Sequence, residues 1–308
     1  MKSPAYLPAF IRAAEPLAAR TTFGIGGEAA YYAEVADTDT LLAALDWARR
    51  AECPVYPLGG GSNILVADDG VEALVVRLER TGEFGRLEFS EADGCRVVAA
   101  AAVKTAELVE EAARRGYSGL EFLAGIPGTV GGAVATNAGG RAGRVEEVLA
   151  GFDGLALDAA DHEVYRLTRS RDAETFMVLR AEFRLAKSTP GKVRERVREV
   201  LEHRRLTQPE GAASAGCIFR NPPGTDKSAG ELIEAAGLKG ASRGGARVST
   251  KHANWILNTG GATALDVASL AVSVVARVRE AFGVQLAFEI DLWGESLEEY
   301  LLREGYLV

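Results

Sequence analysis

Two glycine-rich stretches decide the fold. The first is Leu58-Gly59-Gly60-Gly61-Ser62-Asn63, and the second is Gly119-Leu120-Glu121-Phe122-Leu123-Ala124-Gly125-Ile126-Pro127-Gly128-Thr129-Val130-Gly131-Gly132-Ala133-Val134-Ala135-Thr136-Asn137-Ala138-Gly139-Gly140. The first lies between Val55-Tyr56, flanked by prolines, and the apolar run Ile64-Leu65-Val66. Three successive glycines let main-chain N–H groups turn towards one point, and Ser62 and Asn63 add polar contacts; such a nest suits a pyrophosphate. With no Gly-Lys-Ser/Thr and no helix opened by a Gly-x-Gly-x-x-Gly turn, it matches neither common nucleotide loop. Taken alone, a plain turn between strands explains it equally well. The second stretch carries seven glycines in 22 positions and a single carboxylate, Glu121. It is nearly all backbone and small side chains, a surface on which a flat, bulky ligand can lie with amides pointing inward. Tight packing of a helix on a sheet accounts for two or three of these glycines, hardly for all.

Outward from these stretches, helical and strand patterns alternate. Thr38–Arg50 places Leu41, Leu45 and Ala48 at helical spacing, and Thr105–Arg115 reads as a helix stopped by Gly116. Val71–Leu78 and residues 96–103 are β-branched or Ala/Val-rich runs that read as strands, and 152–185 is mostly strand-like. Lys187-Ser188-Thr189-Pro190-Gly191 marks a composition shift, read here as the major domain boundary. Beyond it, residues 192–205 put Val193, Val197, Val200 and Leu201 on one helical face. Ser228 to Glu231 forms a capping box for a helix ending at Gly237. Thr263 to Asp266 forms another, opening the longest helix, whose buried stripe is Val267, Leu270, Ala271, Val274, Val278 and Phe282, with Gly283 as its stop. Residues 285–293 read as a last strand.

Composition narrows the function. At 308 residues the chain exceeds one compact core, so more than one domain is expected. The net charge is −8, with no basic run dense enough to track a phosphate backbone, which argues against a nucleic-acid partner. No apolar stretch is long enough to span a bilayer, and residues 1–17 lack a continuous signal core, so no membrane partner and a cytoplasmic setting are expected. Cys53, Cys95 and Cys217 are widely spaced and odd in number, which disfavours a disulfide framework or a structural zinc. His162, His203 and His252 are too scattered for a metal centre, and none is expected.

Three further segments hold candidate chemistry. Arg204-Arg205-Leu206-Thr207-Gln208-Pro209 sets two arginines at a helix end, where they can grip phosphates bidentately or simply form a solvated face. In Ser214-Ala215-Gly216-Cys217-Ile218-Phe219-Arg220-Asn221-Pro222, Cys217 is a small buried hydrophobe by default, yet it sits beside polar Arg220 and Asn221. Glu289, in Leu286-Ala287-Phe288-Glu289-Ile290-Asp291-Leu292-Trp293, either points inward with Asp291 on its face or belongs to an exposed carboxylate pair. His252, in Lys251-His252-Ala253-Asn254-Trp255-Ile256-Leu257-Asn258, reads as a hydrogen-bonded structural histidine rather than a base.

Taken together and in this order, these segments resemble the UDP-N-acetylenolpyruvoylglucosamine reductase (MurB) family over nearly the whole chain. Thr21-Thr22-Phe23-Gly24-Ile25-Gly26-Gly27 is similar to the family's opening signature, residues 58–63 to its pyrophosphate loop and 119–140 to its flavin-facing segment. Residues 215–222, 230–240, 251–258 and the Glu289 segment resemble its substrate domain. The resemblance implies a mixed α+β and α/β fold: a two-lobed FAD-binding module of the vanillyl-alcohol-oxidase type over residues 1–187 (lobes about 1–78 and 79–187), then an α/β substrate-binding domain over 188–308. It implies FAD as cofactor and NADPH as co-substrate, a small-molecule UDP-sugar substrate and a monomer. The hydride passes from NADPH through the flavin to C3 of the enolpyruvyl ether. That addition leaves an enolate-like species at C2 and its carboxylate, which needs a stabilising field and a proton donor.

Residue by residue, the resemblance assigns cofactor contacts to Gly59, Gly60, Gly61, Ser62, Asn63, Gly125, Ile126, Thr129, Gly131, Gly132 and Asn137. Cys217 falls at the proton-donor position, more often serine; a thiol's reference pKa of roughly 8.5 makes it the better acid. Glu289 matches the family's acid, and its apolar neighbours Phe288 and Ile290 favour a raised pKa. Arg205, Arg220 and Asn221 fall at substrate-binding positions. The family's Tyr-Arg-x-Ser pattern is reduced here to Leu167-Thr168-Arg169-Ser170-Arg171, so Arg169 is taken as the substrate-carboxylate clamp, with Arg171 as the alternative. The stretch between Leu185 and Lys192 is too short for a tyrosine-bearing substrate loop, which places the chain in the shorter, open-site branch. Two rival readings are another FAD oxidoreductase of the superfamily acting on a sugar or alcohol, and a non-catalytic flavin-binding protein.

Overall fold

The computed structural model describes residues 6–91, 94–156 and 176–306, and the backbone alone of the strand Val164–Leu167. The chain divides into two compact units. One comprises Met1–Arg12, Tyr31–Gly60 and Ala73–Leu206, and the other Ala13–Ala30, Gly61–Glu72 and Thr207–Val308.

The first unit is built on two sheets. A four-stranded sheet orders Ile11–Pro16, Glu28–Val35, Val71–Leu78 and Val55–Leu58, the last two parallel with Leu58 opposite Arg77. The helix Thr38–Arg50 packs beside it, its start fixed by the Asp37 carboxylate accepting from Thr40 N–H at 2.7 Å. Leu41, Ala44, Leu45 and Ala48 recur at helical spacing and are fully buried with Ala33, Val35, Leu74 and Val76. A five-stranded antiparallel sheet orders Val164–Leu167, Leu149–Ala156, Phe176–Arg184, Arg96–Ala100 and Leu87–Ser90. Its core gathers Val97, Ala99, Leu108, Ala112, Tyr117, Phe122 and Phe183.

The helix Pro190–Thr207 also groups with this unit. Val193 is buried and Val197 and Val200 pack on the second core, while Arg196 Nη1 donates to Ser118 Oγ at 2.7 Å and Arg204 Nη2 to Phe122 O at 3.3 Å. Leu201, expected on the same buried face, is 42% exposed.

The second unit centres on the helix Ala264–Phe282, which crosses a three-stranded antiparallel sheet of Ser242–Arg243, Ala246–Val248 and Ile256–Asn258. The expected capping box is present: Thr263 Oγ accepts from Asp266 N–H at 3.0 Å, and the Asp266 carboxylate accepts from Thr263 N–H at 3.1 Å. The box over Ser228 and Glu231 forms in the same way at the start of Ala229–Ala235. Val267, Leu270, Ala271, Val274 and Val278 are buried with Phe23, Ile25, Leu65, Ile218 and Phe219. Phe282 departs from the expected stripe: it sits in the last turn, 38% exposed, with the Lys227 ammonium over its ring.

The last strand is shorter than the sequence suggests. Only Asp291–Trp293 forms a ladder, parallel to Ile64–Val66. Upstream, the chain lies against a different neighbour, with a single bridge between Phe288 and Phe219. A segment that changes partner midway cannot keep one continuous ladder, however strand-like its residues. Among the described residues no helix is long and apolar enough to cross a membrane.

Candidate functional site

In the first unit, the two glycine stretches meet. Gly60 abuts Gly128 so closely that a Cβ at Gly60 would lie 2.5 Å from the Gly128 Cα, and one at Gly59 would lie 3.0 Å from Thr129 Oγ1. Close approach of two backbones is thus a physical reason for glycine here. Thr129 caps the short helix Val130–Ala135 by accepting from Gly132 N–H, Val130 N–H donates to Val103 O at 2.8 Å, and Gly131 N–H to Ala101 O at 2.9 Å. Thr105 fastens the same segment from outside, its hydroxyl donating to Ile126 O at 2.6 Å.

Beside this junction lies a cavity of about 450 Å³, lined by Leu58, Gly59, Thr129, Gly131 and Gly132, with Arg77, Arg80 and Lys104 around it. Its size falls in the range of ligand sites; Glu34 and Glu79 line it as well, and Arg77 pairs with Glu34 and Arg80 with Glu107, so the charge around it is mixed. Its glycine-lined wall lets a dinucleotide approach the main chain closely, and Lys104, whose backbone bridges to Thr129, is a cation at that wall. Four expected cofactor contacts, Gly59, Thr129, Gly131 and Gly132, therefore share one cavity wall. Elsewhere in this unit, a Cβ at Gly125 would meet the Arg204 and Leu201 side chains, and Asn137 Oδ1 accepts from Glu146 N–H at 3.0 Å.

In the second unit, the opening signature holds the rest of the first glycine stretch. Thr22 N–H donates to Gly61 O at 2.9 Å, its hydroxyl donates to Ser214 O at 2.7 Å, and Ser214 N–H returns a bond to Thr22 O at 3.1 Å. Gly61 has φ +63°, and a Cβ there would collide with the Arg20 carbonyl oxygen, so no other residue fits without displacing the signature. Asn63 Nδ2 donates to Glu289 O at 3.3 Å, and Asp291 N–H donates to Asn63 O at 2.9 Å.

The two chemical candidates stand on adjoining main chain. Cys217 is half-buried and in no disulfide, and its backbone is bridged to Trp255. Glu289, also half-buried, donates its N–H to Ile218 O at 2.8 Å, and the Phe219 and Phe288 rings lie 5.4 Å apart. Asn254 holds this strand: its Oδ1 accepts from Phe219 N–H at 3.0 Å and its Nδ2 donates to Phe219 O at 2.7 Å. Asn254 is buried, and a buried amide requires such partners. Its position in an otherwise apolar run was the available signal for a fastening role that sequence reading left unassigned.

The remaining candidates scatter. Arg220 donates its N–H to Ala287 O, and its charge reaches Asp291. Asp291 keeps solvent-accessible surface, yet neighbouring protein atoms strip enough solvent to raise its carboxyl pKa, against opposing effects of an Asn63 hydrogen bond and the Arg220 charge. Asn221 Oδ1 accepts from Ala229 N–H at the start of the helix Ala229–Ala235. Arg205 is exposed and paired with Glu202 on its own helix. His252 Nδ1 accepts from Asn254 N–H, and burial pushes the imidazole below its ordinary pKa, as suits a structural histidine. Arg169 and Arg171 lie outside the described residues. Among the described residues no cluster of His, Cys, Asp or Glu can hold a metal ion.

The chain is similar to known proteins over most of its length. A family model described as the FAD binding domain matches residues 29–161, and one described as the C-terminal domain of UDP-N-acetylenolpyruvoylglucosamine reductase matches residues 208–293. UDP-N-acetylenolpyruvoylglucosamine reductase 2 of Symbiobacterium thermophilum is 43% identical over 302 residues, 94% of each chain. The Geobacter metallireducens reductase is 40% identical over 290 residues, covering 92% of this chain and 93% of its own. The crystal structure of the Thermus caldophilus enzyme, MurB, superposes with a TM-score of 0.74 at 34% identity, covering 94% of this chain and 100% of that one. The α+β architecture read from the sequence, an FAD-binding module of the vanillyl-alcohol-oxidase type followed by a substrate-binding domain, agrees with these matches. On relatives this similar across nearly its whole length, the chain belongs to the UDP-N-acetylenolpyruvoylglucosamine reductase family.

Proposed function

We propose that this chain reduces the enolpyruvyl group of UDP-N-acetylglucosamine enolpyruvate to UDP-N-acetylmuramate, a step of peptidoglycan synthesis, using NADPH and FAD. The observation that carries the reading is the pairing of Cys217 and Glu289 on adjoining main chain, joined by the Glu289 N–H to Ile218 O bond, in a chain of this family.

Gly59, Thr129, Gly131 and Gly132 would hold FAD along the cavity wall, with Lys104 beside Thr129 offsetting phosphate charge. When bound, FAD supplies the hydride relay from NADPH to C3 of the enolpyruvyl ether. The chain's own residues then meet the charge that develops at C2 and on the adjacent carboxylate. Arg169, or Arg171, pairs with that carboxylate. Glu289 donates a hydrogen bond or proton to the forming enol, and Cys217 delivers the thiol proton to C2, taking one back from solvent before the next turnover. Arg205, Arg220 and Asn221 contact the UDP-sugar. The protein works as a cytoplasmic monomer, the cytoplasmic setting being supported by cysteines that form no disulfide.

Steady-state kinetics test the reading. Purified holoenzyme oxidises NADPH faster when UDP-N-acetylglucosamine enolpyruvate is added, and UDP-N-acetylmuramate accumulates. No stimulation, with oxidation of a sugar or alcohol instead, would assign the chain to another flavin oxidoreductase activity. A yellow protein whose reduced flavin no substrate re-oxidises would make it a binding protein.

A further inference from the structure

We infer that Asn63 is a positioning residue for Glu289, fixing the acid of the substrate half-reaction rather than gripping the cofactor with its side chain. By its place in the glycine stretch, its amide reads as a pyrophosphate contact. The geometry gives it other work. Nδ2 donates to the Glu289 carbonyl oxygen at 3.3 Å, and the same amide faces the Asp291 carboxylate, whose charged form it favours. Both partners are acceptors, so the –NH₂ end of the amide must face them, and its two hydrogens suffice for both.

The backbone explains why a side chain is needed there. Glu289 lies upstream of Asp291–Trp293, where the parallel ladder with Ile64–Val66 begins. Its own carbonyl therefore lies before that ladder, and Asn63 supplies the hydrogen bond that a strand neighbour would otherwise give. Its N–H is held by Ile218 O, one residue beyond Cys217. The main chain of Glu289 is thus clamped on both sides, by Ile218 next to Cys217 and by Asn63. The Asp291 N–H to Asn63 O bond closes the ring. Proton delivery falls steeply with small displacements of the donor, so this clamp bears on rate more than on binding.

The inference rests on the reading of Glu289 as the reaction's acid. The test compares holoenzyme variants Asn63→Ala, Asn63→Asp, Ser62→Ala and Glu289→Gln. Each is assayed for FAD affinity, anaerobic flavin reduction by NADPH and re-oxidation by UDP-N-acetylglucosamine enolpyruvate across a pH series. Asn63→Asp keeps the shape but replaces both donors with lone pairs facing two acceptors. Both Asn63 variants are expected to slow re-oxidation at least about tenfold, Asn63→Asp more, and to displace the pH profile of that step. Their FAD affinity should fall less than that of Ser62→Ala, whose re-oxidation pH profile should stay in place. Re-oxidation at the wild-type rate with an unmoved profile would overturn the inference. So would loss of FAD binding or of folding in both Asn63 variants, which would make Asn63 a cofactor ligand or a fold determinant. If Glu289→Gln re-oxidises normally, the underlying reading of Glu289 fails; if it is slow while the Asn63 variants are normal, only the positioning role fails.

Discussion

At position 217, which the resemblance sets at the proton-donor site, the residue is a thiol rather than a hydroxyl, and the difference is chemical. A thiol gives up its proton more readily than an alcohol and is still largely protonated near neutrality. Cys217→Ala is therefore expected to leave flavin reduction by NADPH far less affected than re-oxidation by substrate, which slows about 10²–10⁴-fold, while Cys217→Ser recovers part of the loss. Stopped-flow absorbance separates the two steps; normal re-oxidation in Cys217→Ala would move the search to Ser214. His252 makes a prediction of the opposite kind, about stability. Burial lowers its pKa in the folded state, so the unfolded chain takes up a proton first as the pH falls. Its contribution is full above the unfolded value of about 6.5 and is lost as the pH drops through and below it. Urea unfolding at descending pH should show a steeper loss for the wild type than for His252→Gln; equal slopes would contradict this. Cys217 and Glu289 were singled out by their places in the family-like segments rather than by residue type, and Asn63 was read as a cofactor contact. The partner of Asn63 was not legible, because Glu289 lies 226 residues away and no local pattern encodes that register.

Elements were the most readable level wherever their signals are local. The caps at Thr263 and Ser228, the helix stops at Gly116 and Gly283, and the apolar spacing of Thr38–Arg50 all act within a few residues, and all form as expected. What escaped are features supplied by distant chain. The Asp68 carboxylate accepts from Ala264 N–H at 2.8 Å and from Leu265 N–H at 3.2 Å, adding a second cap to a helix that already has one. Asp68→Ala should lower unfolding free energy by about 0.5–2 kcal/mol in urea titration, and Asp68→Asn by less, since its amide oxygen still accepts. No change in either would show that the local capping box suffices. The stretch 285–293 illustrates the same limit: its residues favour a strand, but the neighbour to which each part bonds decides how much ladder forms.

Across the whole molecule, the composition shift at 187–191 caught a change of character in the chain, whereas the compact units follow contacts. Residues 13–30 and 61–72 group with the C-terminal part, because Phe23, Ile25 and Leu65 share its core and Ile64–Val66 pairs with Asp291–Trp293. Long-range parallel pairing leaves no mark on local composition. A fragment spanning residues 207–308 would lack these core residues and the strand partner, so it should fail to show cooperative thermal unfolding; a sharp transition in that fragment would contradict the account.

The central claim is that this chain's bound flavin reduces an enolpyruvyl ether. The most direct measurement follows the absorbance of anaerobically reduced holoenzyme near about 450 nm after mixing with UDP-N-acetylglucosamine enolpyruvate. The account predicts prompt recovery of the oxidised flavin band with formation of one equivalent of UDP-N-acetylmuramate. A flavin that stays bleached until oxygen is admitted would contradict it.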